Sequence, residues 1–466
     1  MIGRLLAVCL LLLSSGGAAA LEPSRVPEAA TGTMAKALVT ASRHMVVAAH
    51  PLAAEAGLQM LRKGGSALDA AIATQLVLGL VEPQSSGLGG GAFIVLWDAK
   101  AQLVKSYDGR ETAPAAAKPD RFLIDGKPMD FPDAVRSGLS VGVPGVVAAM
   151  QMAHAKHGRL AWADLFQPAI TLAQSGFPMP ERLHRLLKLQ GADSFAPAAR
   201  SYFFAVDGKA KAQGTLLKNP DYAETLKSIS VNGAKAFYQG PIADAIVAAV
   251  ADAPIAKGDL TRADLAGYQA KERPPVCFAY RQRKICGMGP PSSGALTIAQ
   301  TLKLIEPLAD IQATSGHPSG AAMHAIAEAE KLAFADRNRY IADPDVVPVP
   351  DGLLDGAYLT ERRKLIDPLK AMVKAEAGLP PGIAKRTYGI DATREVSGTS
   401  HMSIVDETGN AVSMTTTIES AFGSHLWAAG FLLNNELTDF SLVPVDRDGN
   451  VAANAVGGGK RPRSSM

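Results

Sequence analysis

The run Val396-Ser397-Gly398-Thr399-Ser400-His401-Met402-Ser403-Ile404-Val405 is followed by Asp406-Glu407-Thr408-Gly409-Asn410. Ala411-Val412-Ser413-Met414-Thr415-Thr416-Thr417-Ile418-Glu419 comes next. Small polar residues give way to strand-like alternation over His401–Asp406. Glu407–Asn410 supplies a turn and Ala411–Ile418 alternates again, so the stretch predicts a β-hairpin. A period of two sets Thr399, His401 and Ser403 on one face. On the return strand it does the same for Ser413, Thr415, Thr417 and Glu419. A sheet face this rich in hydroxyls is unusual for a core, although threonine is also a good strand former.

Thr399 is set apart by its predecessor. Gly398 has no Cβ, so the Gly398–Thr399 peptide can adopt a strained geometry in which the hydroxyl reaches the glycine carbonyl. That arrangement permits an N-to-O acyl shift, after which water cuts the ester and frees Thr399 as a new N-terminus. An N-terminal threonine carries its own base, because an α-amine with a reference pKa of about 8 can take the hydroxyl proton. No His or Asp partner is required, which suits a chain with no G-x-S-x-G motif and no persuasive Ser/His/Asp set.

Around this stretch lies a chain of 466 residues, 47% hydrophobic and 20% charged, ample for a large buried core and unlike a disordered composition. A net charge of +3 with no long basic run leaves nucleic-acid binding without an electrostatic footprint. Three cysteines contain no C-x-x-C pair, which excludes zinc fingers and iron–sulfur clusters. Nine histidines contain no H-E-x-x-H, and no metal site is indicated. Residues 1–20 read as a secretory signal peptide rather than a retained anchor. They comprise a basic start, the apolar run Leu5–Leu13, and small residues ending Ala18-Ala19-Ala20. The apolar run falls well short of the roughly 20 residues that span a bilayer. Cys9 leaves with the signal. Cys277 and Cys286 then remain, and both a disulfide and two buried thiols stay open.

The body alternates helices and strands. Leu52–Lys63 predicts a helix stopped by Gly64-Gly65, and Ser66 with Asp69 caps a second over Ala67–Leu80. That second helix is apolar nearly all round and is therefore expected to be buried. Gly87-Leu88-Gly89-Gly90-Gly91 follows a helix and opens a strand-like run, Ala92–Trp97. This is the reverse of a dinucleotide fingerprint, so its glycines are read as permitting close backbone approach. A helix over Ala322–Ile341 carries Glu328, Glu330, Lys331, Asp336, Arg337 and Arg339, read as a solvated or ion-paired face.

Several further motifs stand in a fixed order with these. They include Ala48-Ala49-His50-Pro51, Arg110-Glu111-Thr112-Ala113-Pro114, Gly142-Val143-Pro144-Gly145 and Gly289-Pro290-Pro291-Ser292-Ser293-Gly294. Ala335-Asp336-Arg337, Thr399-Ser400-His401, Leu432-Leu433-Asn434-Asn435-Glu436 and Ser464-Ser465-Met466 complete the series. From about Met45 to Met466 the chain resembles the γ-glutamyltranspeptidases, or glutathione hydrolases. The resemblance implies an α+β fold, the αββα sandwich of N-terminal-nucleophile hydrolases. It also implies a precursor that cuts itself between Gly398 and Thr399 into a large subunit (21–398) and a small one (399–466 and beyond), which stay together.

The same resemblance assigns roles. Thr399 is the processing and catalytic nucleophile, attacking the γ-carbonyl of glutathione or another γ-glutamyl amide. The resulting ester passes to water or to an amino-acid amine. Thr417 assists the nucleophile and Arg110 grips the substrate α-carboxylate. Glu436 and Asp439 hold the α-ammonium, and Ser464 and Ser465 flank the carboxylate. No cofactor is implied, and the expected location is periplasmic or secreted. His50 and His401 are read as packing or hydrogen-bonding residues. The oxyanion glycines of the family are expected past Met466, and a chain ending there is expected to leave a sheet open-edged and inactive. Glu419 stands where the best-known members carry asparagine, so it joins the substrate-binding set with a different charge. Related self-processing amidases (glutaryl or cephalosporin acylases, poly-γ-glutamate depolymerases) and an uncut, inactive binding homologue are the alternatives. In some members Ser441–Lys460 forms a lid.

Overall fold

In a computed structural model, the described residues are 37–308, 318–383, 388–391, 393 and 398–465. The signal peptide, Val396 and Ser397 lie outside the described residues. Six strands form the main sheet: β1 (Met45–Val47), β2 (Gly91–Asp98), β3 (Leu103–Gly109), β4 (Lys271–Arg273), β5 (Thr399–Val405) and β6 (Ala411–Thr417). Their order is β1-β5-β6-β2-β3-β4, with every neighbouring pair antiparallel. The predicted hairpin is thus β5–β6, at the middle of the sheet. Its turn is tied by Asp406, whose carboxylate accepts from the N–H of Thr408 at 2.9 Å and of Asn410 at 3.0 Å.

The period of two has the expected consequence. Met402, Ile404, Val412 and Met414 point to one face and are at most 1% exposed. They pack against α2 (Ala67–Val81), which the Ser66–Asp69 capping box opens as expected. All but one residue of α2 is buried, and each fully buried large aliphatic side chain contributes roughly 1.5–3 kcal/mol. Helices α1 (Pro51–Arg62) and α3 (Val146–His157) complete this layer. The opposite face carries the hydroxyls. Thr399, His401, Ser403 and Ser413 are exposed there, with His401 Nδ1 at 2.9 Å from Thr415 Oγ1.

Facing the hydroxyl side is a two-stranded ribbon, Val276–Tyr280 with Arg283–Gly287, in which Cys277 and Cys286 are register partners and form a disulfide. The structure thereby decides what the sequence left open. A cavity of about 710 Å³ lies between ribbon and sheet, and none of the predicted site residues lines it. Beyond the ribbon come α4 (Gly294–Ile305) and α5 (Gly320–Tyr340), where Val276 packs with Leu296. Helices, sheet, ribbon and helices make the expected four layers. Among the described residues the ribbon alone stands for the second sheet.

Gly89 and Gly90 do allow close approach, since a Cβ on either would meet a main-chain oxygen (Leu432 or Thr417) at 2.1 or 1.9 Å. The charges of α5 divide between the expected solvated and ion-paired states, with Glu330 and Lys331 exposed. Glu328, Asp336 and Arg337 are at most 2% exposed. They are ion-paired or hydrogen-bonded by the chain that folds over the helix: Asp336 accepts from Gln300, Tyr358, Arg362 and the Gly378 N–H. Helical spacing reveals which charges share a face, whereas later segments decide what covers it.

Candidate active site

Strand register gathers the site at one end of the sheet. Thr399 pairs with Thr417, and Thr417 pairs with Gly91 on its other side. Gly109, the last residue of β3, is one pair further along opposite Ala92, so Arg110 leaves the sheet at the same end. Four strand ends thus deliver Gly398–Thr399, Thr417, Gly91 and Arg110 to one place.

At Gly398 the backbone is crowded. A Cβ there would lie 2.1 Å from the Glu419 carbonyl oxygen, so only glycine fits. The Gly398 carbonyl accepts from Thr417 Oγ1 at 2.7 Å, and that hydroxyl oxygen accepts from the Glu419 N–H at 2.7 Å. With its lone pair engaged by Glu419, the Thr417 hydroxyl has its proton directed at the Gly398 carbonyl. Thr399 itself is exposed while Gly398 and Thr417 are buried.

After Thr417 the alternation stops. Glu419 has φ of +76°, and Phe422, His425 and Ala429 are also left-handed, in a loop that holds the chain away from the sheet direction. Glu419 is therefore buried instead of continuing the hydroxyl face. Its carboxylate accepts from Ser420 Oγ and from Asn435 Nδ2 at 2.8 Å. Burial, with Asp439 and Glu436 nearby, holds this carboxyl well above the usual range.

Glu436 and Asp439 come from one turn of 3₁₀ helix, in which residues three apart eclipse, so both reach the same partner. That partner is Arg110, wholly buried, which donates Nη1–H to Glu436 and Nη2–H to Asp439. Its remaining fork reaches main-chain carbonyls: Nε to Pro462 at 3.1 Å and Nη2 to Arg463 at 2.8 Å. Burial of the guanidinium is outweighed by Glu436, Asp439 and Glu111, and its pKa rises further above the ordinary value. Glu111, 4.0 Å from Nη1, is fully buried, and burial pushes its carboxyl up to about 8 against the pull of Arg110. The strap Lys460–Ser464 lies buried across Arg110, with Ser465 exposed at its end. Among the described residues no group of three His, Cys, Asp or Glu side chains is placed to hold a metal ion.

The structure therefore brings together Gly398, Thr399, Thr417 and Glu419, and around Arg110 it collects Glu436, Asp439 and the Ser464 strap. It adds residues to which sequence reasoning gave no role. Asn434 ties Gly89, Gly142 and Glu436 through both ends of its amide, and Asn435 joins Glu419 to Ser420. Glu111, beside Arg110 in its motif, is a third such residue. Adjacent asparagines before an acidic residue were the available signal, but spacing says nothing about what an amide touches.

Known proteins share this chain's pattern. The profile described as Gamma-glutamyltranspeptidase matches residues 53–466. The glutathione hydrolase proenzyme of Bacillus subtilis (strain 168) is 37% identical over 435 residues, which is 91% of this chain and 71% of the relative. Among solved structures, cephalosporin acylase from Bacillus halodurans superposes with a TM-score of 0.76 at 28% identity, covering 94% of this chain and 77% of that one. Helicobacter pylori gamma-glutamyltranspeptidase superposes with a TM-score of 0.69 at 34% identity, covering 75% of this chain and 98% of that one. The α+β architecture is that of the N-terminal-nucleophile hydrolases. A profile match over most of the chain, on the same motifs that converge at the end of the sheet, means that this chain belongs to the γ-glutamyltranspeptidase family.

Proposed function

We propose that this enzyme hydrolyses and transfers the γ-glutamyl group of glutathione and related γ-glutamyl amides, after cutting itself between Gly398 and Thr399. The observation that carries the reading is the Thr417 hydroxyl donated to the Gly398 carbonyl beside Thr399. In self-cleavage the Thr399 hydroxyl adds to that carbonyl, whose developing negative charge the Thr417 O–H stabilises. The C–N bond breaks, the Thr399 nitrogen gains the proton, and an ester remains. Water cleaves the ester, leaving the Gly398 carboxylate and a free Thr399 amine.

In turnover that amine takes the Thr399 hydroxyl proton as oxygen attacks the substrate γ-carbonyl, and returns it to the departing amine. Water or an acceptor amine then releases the glutamyl group. Arg110 takes the α-carboxylate bidentately, Ser464 and Ser465 flank it, and Glu419, Glu436 and Asp439 receive the α-ammonium. In the uncut chain Arg110 is occupied by Glu436 and Asp439, so substrate binding exchanges these internal pairs for the two charges of the amino-acid end. A glutaryl group has no ammonium and would leave three acids without a cation. This favours γ-glutamyl over the acylase reading that the cephalosporin acylase likeness raises.

Residues 21–398 form the large subunit and the chain from Thr399 the small one. Residues 1–20 direct export, so the enzyme works in the periplasm or outside the cell. A disulfide at Cys277–Cys286 suits an oxidising compartment, and among the described residues no helix is long and apolar enough to cross a membrane. The test is intact mass under denaturing conditions, followed by p-nitroaniline release from γ-glutamyl and glutaryl anilides. Two species cut before Thr399, with the γ-glutamyl anilide preferred, are expected. One uncut species, or preference for the glutaryl anilide, overturns the reading.

A further inference from the structure

Ser464 is held by its main chain on both sides. Its N–H donates to the Pro291 carbonyl at 3.0 Å. Its own carbonyl accepts from Ser293 N–H at 2.8 Å and from Ser293 Oγ at 2.7 Å. Ser293 occupies the N-cap of α4, where a serine hydroxyl ordinarily accepts from the first turn of its helix. Here it makes no capping bond. The hydroxyl instead donates to the Ser464 carbonyl and accepts from Arg337, whose Nε–H reaches Ser293 Oγ at 2.8 Å, so this one serine bridges the guanidinium to the strap. Arg337 is 2% exposed, and its Nη1 reaches Asn338 Oδ1 at 3.0 Å.

We propose that Ser293 and Arg337 are positioning residues for the carboxylate end of the substrate. They set where the Ser464 and Ser465 hydroxyls stand by fixing the Ser464 carbonyl. The inference rests on the assignment of Ser464 and Ser465 to the α-carboxylate made above, and neither positioning residue touches substrate. The same strap supplies the Pro462 and Arg463 carbonyls that hold Arg110, so a shift at Ser464 displaces both carboxylate-binding elements together.

The test uses the natural gene product and two anilides: γ-glutamyl p-nitroanilide, and 4-aminobutanoyl p-nitroanilide, which keeps the ammonium and lacks the α-carboxylate. In Ser293→Ala, KM for the γ-glutamyl anilide is expected to rise about tenfold, the loss of one hydrogen bond to a charged group. Its kcat is expected to stay within about twofold, and KM for the 4-aminobutanoyl anilide should not change. Arg337→Gln should move the same way, with Arg337→Lys partly restoring the parent value. If Ser293→Ala is recovered unfolded, the Arg337→Lys and Arg337→Gln pair carries the comparison. Equal loss on both anilides, or no loss on either, overturns the inference. Ser464→Ala separates the two levels. If it loses the carboxylate preference while Ser293→Ala keeps it, this inference alone fails. If Ser464→Ala keeps the preference, the assignment of Ser464 fails and takes the inference with it.

Discussion

Asp406 and Glu419 sit at opposite ends of the β5–β6 hairpin, both nearly sealed from solvent, and burial has opposite outcomes for them. At the turn end, burial alone would raise the Asp406 carboxyl. It is outweighed by hydrogen bonds from Thr408, Asn410 and the Ala67 N–H, and the pKa falls below the usual range. At the open end, burial of Glu419 is reinforced by Asp439 and Glu436, and its pKa rises well above. Donor supply makes the difference: a turn offers converging N–H groups, whereas the open end collects carboxyls around one guanidinium. The turn end is built for stability. The other end gathers carboxyls whose charged forms burial and mutual repulsion disfavour.

The sharpest break of that contrast is Thr399→Ala, which is expected to leave the chain uncut and to lower γ-glutamyl turnover by at least about 10³-fold while the hairpin still forms. Intact mass and anilide kinetics check both parts. Gly398→Ala should also slow cutting, because its Cβ would meet the Glu419 oxygen. Next in size, Asp406→Ala should cost about 2–4 kcal/mol in urea unfolding by stripping the buried Ala67 N–H and the turn N–H groups of Thr408 and Asn410 of their shared acceptor. Cutting should proceed normally in that variant once folded. Glu419→Gln should change stability by less than about 1 kcal/mol, since burial and the neighbouring carboxyls already disfavour the charged form. A loss as large as that of Asp406→Ala would erase the distinction between the two ends.

The pH dependence gives the finest comparison. Glu111 has a folded pKa raised to about 8, so the folded chain binds more protons than the unfolded one between the ordinary carboxylate range and pH 8. Its contribution is present at low pH and is lost as pH rises through that window. Asp406 is lowered, so its contribution is present above the ordinary carboxylate range and is lost as pH falls below it. Thermal midpoints measured across pH should decline less on the alkaline side in Glu111→Gln and less on the acid side in Asp406→Asn.

Much of this was legible from local pattern. The hairpin, the Ser66–Asp69 cap and the all-apolar second helix depend on periods of 2 and 3.6 and on short-range capping, which neighbouring residues set by themselves. The charged α5 helix was legible as a helix with a solvated or ion-paired face, but not which of its charges are buried. Gln300, Tyr358 and Gly378, which cover Asp336, lie 22 to 42 residues away along the chain. Arg110, Glu436 and Asp439 were identified by resemblance to a family. Their contact with one another spans more than 320 residues, and no spacing rule reaches that far.

By itself, then, the sequence determined the hairpin, the glycine before Thr399 and the residue types the chemistry uses, because each depends on backbone period or on a missing Cβ. Tertiary structure alone decided that Glu419 turns inward at a left-handed φ, that Thr417 aims its proton at Gly398, and that Ser293 bridges Arg337 to Ser464. Each of these is a choice among hydrogen-bond partners brought close only by strand register and packing, and a partner's identity is not written in the local pattern of either residue.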